Sequence, residues 1–196
     1  MLNTTKIAVF YHCAKMGHYK EIDKEIMKVL RESGILNHGM FFKNECNNVD
    51  QYEFPTLEII RKFADLYNYK ILYIHTKGAT NESKNIAEWR RCMLYFLVER
   101  WEDCVKKLDE VDTVGIFRTN DPCDHYKGNF WWSNSNHIRK LKMPREANVP
   151  TLDGTDRHKA EFWLLSEKGE HHCPYSINKD PYSSPYEKSN YLNIKI

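Results

Sequence analysis

The stretch KILYIHTKGATNES, residues 70–83, joins an apolar run to a polar loop. Residues 71–75 are aliphatic or aromatic except for a final histidine, which is typical of a buried strand. Thr76, Lys77 and Gly78 follow at once, and a helical pattern begins a few residues later. Strand, loop and helix in this order form the repeating unit of α/β domains, so the stretch predicts that fold class.

The same alternation continues along the chain in both directions. Strands are predicted over residues 6–12, 35–43, 70–75, 112–118 and 128–134. Helices are predicted over residues 19–33, 57–67, 85–108, 136–141 and 156–166. This order predicts a three-layer α/β domain with a mainly parallel central sheet. We expect one domain over residues 1–175, followed by an extended tail over residues 176–196 that packs on or near it, because Pro, Ser and Tyr recur there without a period.

The composition narrows the class of protein. The chain has 196 residues, of which 41% are hydrophobic, enough for one folded domain. The 29 basic and 27 acidic residues leave a net charge of +2, which gives no reason to expect a nucleic-acid partner. No apolar run reaches the roughly 18–20 residues of a membrane span, and the N-terminal segment has no cleavage-site pattern. The six cysteines are scattered, so we expect free thiols in a cytoplasmic protein.

The loop after residue 75 is a candidate phosphate site. Ligands of parallel sheets bind just beyond the carboxyl ends of the strands, where His75, Thr76 and Lys77 stand. Lys77 supplies a positive charge, Gly78 lets the backbone approach a ligand, and the following helix offers its N-terminus. An ordinary turn would use the same residues, and the P-loop spacing G-x-x-x-x-G-K-[ST] is absent.

The segment GNFWW, residues 128–132, places two tryptophans side by side. Neighbours on a strand point to opposite faces, so one tryptophan can enter the core while the other faces outward. An outward indole near His125 and Asn129 would suit a sugar, whose ring stacks on the indole while amides bond its hydroxyls. The alternative is that Trp131 and Trp132 both fill the core.

Other motifs bear on catalysis. Glu161 stands beside Phe162 and Trp163, and apolar neighbours can raise the pKa of a carboxyl group towards the range of a general base. The alternative is a surface residue of its helix. The segments 123–125 and 170–173 contain Cys, His, Asp and Glu, but their spacing is too tight for a paired zinc motif. A metal-dependent hydrolase using them remains an alternative, whereas no G-x-S-x-G or G-x-G-x-x-G motif is present.

Several motifs in this order resemble one known family. They are AVFYH at residues 8–12, ILYIHTKGA at 71–79, Trp89-Arg90, GNFWW at 128–132, and R-x-x-x-E-x-W at 157–163. Together they resemble the small GT-A-like glycosyltransferases of large DNA viruses and bacterial polysaccharide gene clusters. The resemblance spans residues 6–165.

The resemblance implies a GT-A-like, Rossmann-like domain that binds a nucleotide-diphospho-sugar linked to UDP, GDP or dTDP. The implied reaction transfers a hexosyl or deoxyhexosyl group to a hydroxyl of a glycan acceptor, with inversion and a carboxylate base. The family holds Mn²⁺ or Mg²⁺ with a D-x-D motif at a strand end, and this sequence has no such motif there, so metal dependence is open. A non-catalytic carbohydrate-binding module using Trp131 or Trp132 is the alternative function.

The resemblance also assigns residues to roles. The nucleotide-sugar is assigned to Phe10, Tyr11, His12, His75, Thr76, Lys77, Gly78 and Arg90. The acceptor and its sugar are assigned to His125, Asn129, Phe130, Trp131, Trp132 and Arg157. The base is assigned to Glu161, with Asp124 as the second choice and Asp156 as the third.

Overall fold

The first half of the chain forms the parallel part of a six-stranded sheet. The computed structural model describes residues 6–81, 83–176, 182–183 and 186–196. The strands are β1 (Ile7–Ala14), β2 (Gly39–Cys46) and β3 (Lys70–His75), and the helices between them are α1 (Tyr19–Glu32) and α2 (Phe54–Leu66). β1 pairs in parallel with both β2 and β3, because each crossover helix brings the chain back to the end of the sheet at which the previous strand began.

The second half adds three short strands and one reversal of direction. The strands of this sheet are β4 (Thr113–Gly115), β7 (Trp131–Asn134) and β8 (His171–His172), and the order across it is β2-β1-β3-β7-β4-β8. β7 runs antiparallel to both of its neighbours, whereas β8 is parallel to β4. The prediction of a mainly parallel central sheet is therefore confirmed. β5 (Arg118–Thr119) and β6 (His125–Tyr126) form a separate antiparallel pair.

Helices cover both faces of the sheet. The remaining helices are α3 (Lys84–Leu94), α4 (Trp101–Lys107), α5 (Ser135–Lys140) and α6 (Lys159–Phe162). Alternate residues of β1 enter opposite cores: Val9 and Tyr11 pack with α1, α3 and α4, whereas Ala8 and Phe10 pack with α2, α5 and α6. Because side chains alternate between the two faces of the sheet, β1 contributes to the hydrophobic core on both sides.

Element boundaries differ from the predictions where the backbone leaves regular geometry. The helix predicted over residues 85–108 is divided by a π-helical turn, Tyr95–Glu99, and by a non-helical Arg100. The strand predicted over 112–118 ends at Gly115, and Phe117 has φ +58°, which no extended strand allows. The second strand begins only at Gly39, because Ile35–Asn37 forms a 3₁₀ turn. Within residues 156–166, a 3₁₀ turn precedes the short α6.

The described part of the predicted tail lies against the domain. Tyr186 packs on Phe117 with a ring-centroid distance of 4.9 Å, and Tyr191 is buried. The Tyr95 hydroxyl donates to the carbonyl oxygen of Leu192 at 2.9 Å. Residues 177–181 and 184–185, which belong to the same prediction, lie outside the described residues. Across the ranges given above, no helix combines the length and apolar character needed to cross a bilayer.

Candidate functional site

A cavity of about 500 Å³ opens beyond the carboxyl ends of the three parallel strands. This volume falls in the range of about 300–1,000 Å³ typical of small-molecule sites. Residues at the carboxyl ends of β1, β2 and β3 form its floor together with Glu53, which precedes α2, and residues around α6 contribute to its walls. The lining includes His12, Ala14, Cys46, Glu53, His75, Thr76, Lys77, Gly78, Arg157 and Glu161. The loop after residue 75 therefore lies at a ligand-sized opening, and its assignment to a phosphate stays a prediction.

The loop after β3 is tied to the end of β1. The Thr76 N–H donates to the carbonyl oxygen of His12 at 3.1 Å, and the Thr76 hydroxyl accepts from the N–H of Ala14 at 3.0 Å. The N–H groups of Lys77 and Ala79 bond to His75 and Thr76 within the loop itself. Three amides that could have met a phosphate are thus already used, which leaves the Lys77 side chain as the main charge of the loop.

Glycine is required at residue 78. Its φ is +88°, a left-handed conformation, and an added Cβ would lie 2.6 Å from the Ile86 side chain. The turn lets the chain reverse between β3 and α3 without a clash. α3 itself begins only at Lys84, where the Ser83 hydroxyl accepts from the N–H of Ile86 at 3.3 Å.

The Lys77 ammonium lies over an aromatic wall. Its Nζ is 4.3 Å from the ring centroid of Trp89 and 5.8 Å from that of Tyr182. A cation–π contact at this distance stabilises the charge while the ammonium stays at the cavity. Tyr182 lines the cavity from the tail segment.

Arg90 does not belong to the cavity, and its assignment to the diphosphate is wrong. Its guanidinium donates to the Glu25 carboxylate from Nε at 3.0 Å and from Nη2 at 2.5 Å. Its Nη1 donates to the carbonyl oxygen of Lys77 at 2.9 Å. Arg90 lines a separate depression between α1 and α3. Glu25 already balances the charge of Arg90. The role of Arg90 is to fix the backbone of Lys77 through the bond to its carbonyl oxygen.

Glu161 lines the cavity, but its pKa is lowered, not raised. Burial raises the pKa of this carboxyl, and the Lys77 charge, the N–H of Gly128 and the nearby His125 and His75 outweigh that effect. The Gly128 N–H donates to Glu161 Oε1 at 2.8 Å. Glu161 is therefore ionised at neutral pH, and the predicted shift was wrong because apolar sequence neighbours do not reveal the polar groups facing the side chain.

Glu53 is the carboxyl group that has a raised pKa, and sequence reasoning missed it. Burial is the largest cause, and the nearby Glu161 adds to it against His12, Asn129 and Lys77. Its Oε2 accepts from the amide of Asn129 and from the Tyr73 hydroxyl, the latter at 3.3 Å. The sequence does contain a signal for Glu53. It directly precedes Phe54-Pro55, where a helix begins after a parallel strand, so it is expected at the carboxyl end of the sheet.

Two neutral histidines lie on the cavity floor. His12 Nδ1 is 2.8 Å from the Thr56 hydroxyl, and burial lowers the pKa of His12 to about 4. His75 Nε2 donates to the carbonyl oxygen of Gly128 at 2.9 Å. Burial, together with the Lys77 charge, lowers the pKa of His75 to about 3. Both imidazoles are uncharged at neutral pH.

The aromatic residues assigned to ligands are in the core. Phe10, Tyr11, Phe130, Trp131 and Trp132 are each at most 1% exposed. The indole N–H of Trp132 donates to the carbonyl oxygen of Leu97 at 2.7 Å, and that of Trp131 donates to Asn129 at 2.9 Å. The expected outward tryptophan is wrong, because β7 lies between β3 and β4 and helices cover both of its faces. The ligand roles given to these five side chains are wrong for the same reason.

The remaining acceptor residues separate into two places. Arg157 lines the cavity. Asn129 is buried beneath the cavity, where its amide bonds Glu53 and the carbonyl oxygen of Ala160. His125 is buried as well, and its ring lies against that of Phe162 at a centroid distance of 4.7 Å with the two planes tilted by 59°. Neither Asn129 nor His125 lines the cavity, and both pack behind residues that do.

Asp124 lies at another surface and is wrong as a base for this cavity. Its carboxylate accepts from Arg118 at 2.7 and 2.6 Å. The pair lies in a depression that also includes Asp112 and His171. Asp156, the third choice, pairs with Lys159 at 3.0 Å.

Within the described ranges, no group of three or more His, Cys, Asp or Glu side chains is arranged to hold a metal ion. In the cavity, Glu161 and Glu53 accept hydrogen bonds from N–H groups, and His75 donates to a carbonyl oxygen. The Cys123 and Cys173 thiols are free and form no such group with the nearby histidines.

Comparison with known protein families gives a match over most of the chain. The profile of the family described as Domain of unknown function (DUF8361) matches residues 15–193. No curated protein and no solved structure matches the chain. The matched segment begins directly after β1 and includes the other strands, the loop after β3, Glu53 and Glu161, and the chain belongs to the DUF8361 family.

Proposed function

We propose that this protein is a glycosyltransferase of GT-A-like fold. The reaction moves a sugar from a nucleotide-diphospho-sugar to a hydroxyl of a glycan acceptor. One observation carries the proposal: a single cavity at the carboxyl ends of three parallel strands contains both the Lys77 ammonium and the ionised Glu161 carboxylate. A diphosphate leaving group requires a cation, and an acceptor hydroxyl requires a base.

Lys77 is the proposed contact of the diphosphate. Its ammonium is supported by the ring of Trp89, and its backbone is held by Arg90. As the bond between the anomeric carbon and the diphosphate oxygen breaks, negative charge grows on that oxygen. A lysine already in place stabilises this charge without reorganisation.

Glu161 is the proposed base. The Gly128 N–H fixes one oxygen of its carboxylate, and the other oxygen takes the proton of the acceptor hydroxyl. The acceptor oxygen, which loses its proton to Glu161, attacks the anomeric carbon. The diphosphate departs from the opposite side, so the configuration inverts. The lowered pKa of Glu161 keeps its carboxylate deprotonated at neutral pH, and the same shift makes it a weaker base than a carboxylate with a raised pKa.

The proposed acceptor enters past the cavity mouth. Tyr52 and Tyr182, 40% and 53% exposed, both line the cavity. Exposed aromatic rings there can stack on a sugar, the role first expected of Trp131 and Trp132. Arg157 adds hydrogen-bond donors to the same opening. The binding-module alternative loses its basis, because it required a tryptophan on the surface.

Thermal unfolding with nucleotides tests the proposal. A ligand of the native state at 100 times its dissociation constant stabilises by about 2.7 kcal/mol, or about 5–10 °C in Tm for a domain of this size. We expect sugar conjugates of UDP, GDP or dTDP to raise Tm, and the matching nucleosides without phosphate to leave it unchanged. The screen is run with and without Mn²⁺.

The other outcomes separate the alternatives. If no nucleoside diphosphate compound raises Tm at millimolar concentration, the proposal is wrong. A shift with glycans that ignores nucleotide would favour a binding module. Chelator-sensitive release of phosphate would favour the metal-dependent hydrolase.

A further inference from the structure

The floor of the cavity has a group of polar side chains that the proposed transfer step does not use. His12 lies two residues before the end of β1, Glu53 precedes α2, and His75 ends β3, and all three line the cavity. Three separate elements therefore bring two imidazoles and one carboxyl group together. Lys77 faces them from the loop and Glu161 from α6.

The hydrogen bonds of His75 favour one protonation state of the Glu53 carboxyl group. His75 Nε2 contacts the carbonyl oxygen of Gly128, which can only accept, so Nε2 carries the ring proton. Because the imidazole is neutral, its Nδ1 presents a lone pair, and this lone pair faces Glu53 Oε1 at 3.5 Å. An ionised carboxylate oxygen would repel that lone pair, whereas the O–H of a carboxylic acid would be attracted to it.

The two oxygens of Glu53 have different surroundings. Oε2 accepts from both the Asn129 amide and the Tyr73 hydroxyl, as a carbonyl oxygen does. Oε1 is left for the proton, at the limit of hydrogen-bond distance from His75 and beside the cavity. Burial of the group in this position disfavours its charged form and raises its pKa.

His12 adds an unpaired nitrogen to the same floor. Its Nδ1 bonds to the Thr56 hydroxyl, which also accepts from the Asn44 amide at 2.9 Å. Its Nε2 is buried and has no hydrogen-bond partner among the residues that the structure describes. His12 is 1% exposed, and an unsatisfied polar atom at that depth costs about 1–3 kcal/mol unless a ligand meets it.

We propose that Glu53 is a neutral carboxylic acid which, with Nε2 of His12, forms an uncharged subsite for a hydroxyl group of the ligand. A hydroxyl both donates and accepts, so it can satisfy the acid and the imidazole together. If the protein is a glycosyltransferase, as proposed above, this hydroxyl belongs to the transferred sugar. That sugar is then a neutral polyol, because an added carboxylate would meet the uncharged Glu53 and His12, whereas the cation that faces them, Lys77, is assigned to the diphosphate.

The charge of Glu53 can be measured on the free protein. Carbon-13 NMR of protein labelled at the glutamate side-chain carboxyl gives one resonance per residue, and its position reports protonation. At neutral pH we expect one glutamate to be protonated. That resonance should be absent in Glu53→Gln and retained in Glu161→Gln.

A Gln at position 53 is a close mimic of the acid, since its amide can donate to His75 and accept from Asn129. Should Glu53→Gln fail to fold, Tyr73→Phe identifies the resonance, because it removes only the hydroxyl bonded to Glu53. If every glutamate is ionised at neutral pH, or if the protonated signal persists in Glu53→Gln, the proposal is overturned. This result does not depend on nucleotide binding, so it can stand or fail apart from the transferase proposal.

Free sugars test the hydroxyl subsite. Glucose, galactose and mannose are added separately at high millimolar concentration, with glucuronate as the charged control. We expect at least one neutral sugar to shift the Glu53 resonance in a saturable way, and His12→Phe to abolish the shift. If none of the three sugars moves the resonance, or if glucuronate moves it as strongly, the subsite is wrong.

Discussion

The loop after β3 and the segment GNFWW, residues 128–132, which leads into β7, are neighbours in space. They differ in which part of each segment reaches the cavity. Tyr73 of β3 pairs with Trp131 of β7, but the two strands run antiparallel. At the cavity edge, β3 therefore contributes the residues that follow it, Thr76 and Lys77. β7 contributes those that precede it, Gly128 and Asn129, while its tryptophans run into the core. The direction of a strand decides which end of a motif reaches the site.

Replacing a tryptophan of β7 should have the largest effect and tests the core side of this comparison. Trp132→Ala removes a fully buried indole and its bond to Leu97, so we expect a loss of about 3–5 kcal/mol in the free energy of unfolding. Urea denaturation measures it. Leu66→Ala, at a side chain 74% exposed, is the control and should change stability by less than about 0.5 kcal/mol. A loss below about 1 kcal/mol for Trp132→Ala would mean that the indole is not in the core.

Glu161→Gln tests the cavity side of the same segment, where Gly128 holds the carboxylate. We expect turnover to fall by about 100-fold or more, because the base is lost, while nucleotide binding is kept. Steady-state kinetics and calorimetry separate the two quantities. The control is Glu146→Gln, at an exposed carboxyl group. A fully active Glu161→Gln enzyme would rule out Glu161 as the base.

Lys77→Ala tests the residues that follow β3. Loss of one charge-assisted contact, worth about 1.5–3 kcal/mol, should weaken binding of a nucleoside diphosphate by roughly 10- to 100-fold. Calorimetric titration is the measurement. Lys84→Ala is a matched control, because that side chain is 82% exposed nearby at the start of α3. Equal losses in both variants would point to a general field effect and not to a contact.

From the lowered pKa values of His12 and His75 we expect a smaller effect, which concerns the pH dependence of stability. The pKa values of about 4 for His12 and about 3 for His75 lie below the value of about 6.5 in an unfolded chain. Below about pH 6.5 the unfolded state binds more protons, so stability is lost on acidification. Each histidine contributes about 1.4 kcal/mol per pH unit. Glu53 has a raised pKa and acts in the opposite direction, because the folded state keeps its proton longer than the unfolded state does.

Glu53→Gln should therefore make the acid loss steeper. Between about pH 6 and pH 5 we expect its free energy of unfolding to fall by about 1.4 kcal/mol per pH unit more than that of the wild-type protein. Chemical denaturation at a series of pH values gives both slopes. Equal slopes would show that Glu53 does not keep a proton in the folded state.

Much of the fold was predictable because it depends on local patterns. The alternation along β1, with Val9 and Tyr11 on one side and Phe10 on the other, reports burial on both faces. Strand–loop–helix order then predicts a parallel sheet and an opening at its carboxyl edge. The loop from His75 to Gly78 was found in this way, because chain order alone locates the end of a strand.

The partners of charged groups were not predictable, since they come from distant parts of the chain. Arg90 pairs with Glu25, 65 residues away, and Asn129 reaches Glu53, 76 residues away. A local sequence does not contain such distances. The local pattern therefore assigns Arg90 to a ligand although Glu25 balances its charge, and it does not reveal the partners that hold Glu53 at the cavity.

By itself, the sequence determined the α/β class, the mainly parallel sheet and the polar loop with Lys77, since burial patterns and turn residues act over a few neighbouring positions. Only the tertiary structure decided the direction of β7, the burial of Trp131 and Trp132 and the different pKa shifts of Glu53 and Glu161. Strand direction depends on which edges remain to be paired. The proton affinity of a carboxyl group depends on the charges and N–H groups that folding brings within a few ångströms of it.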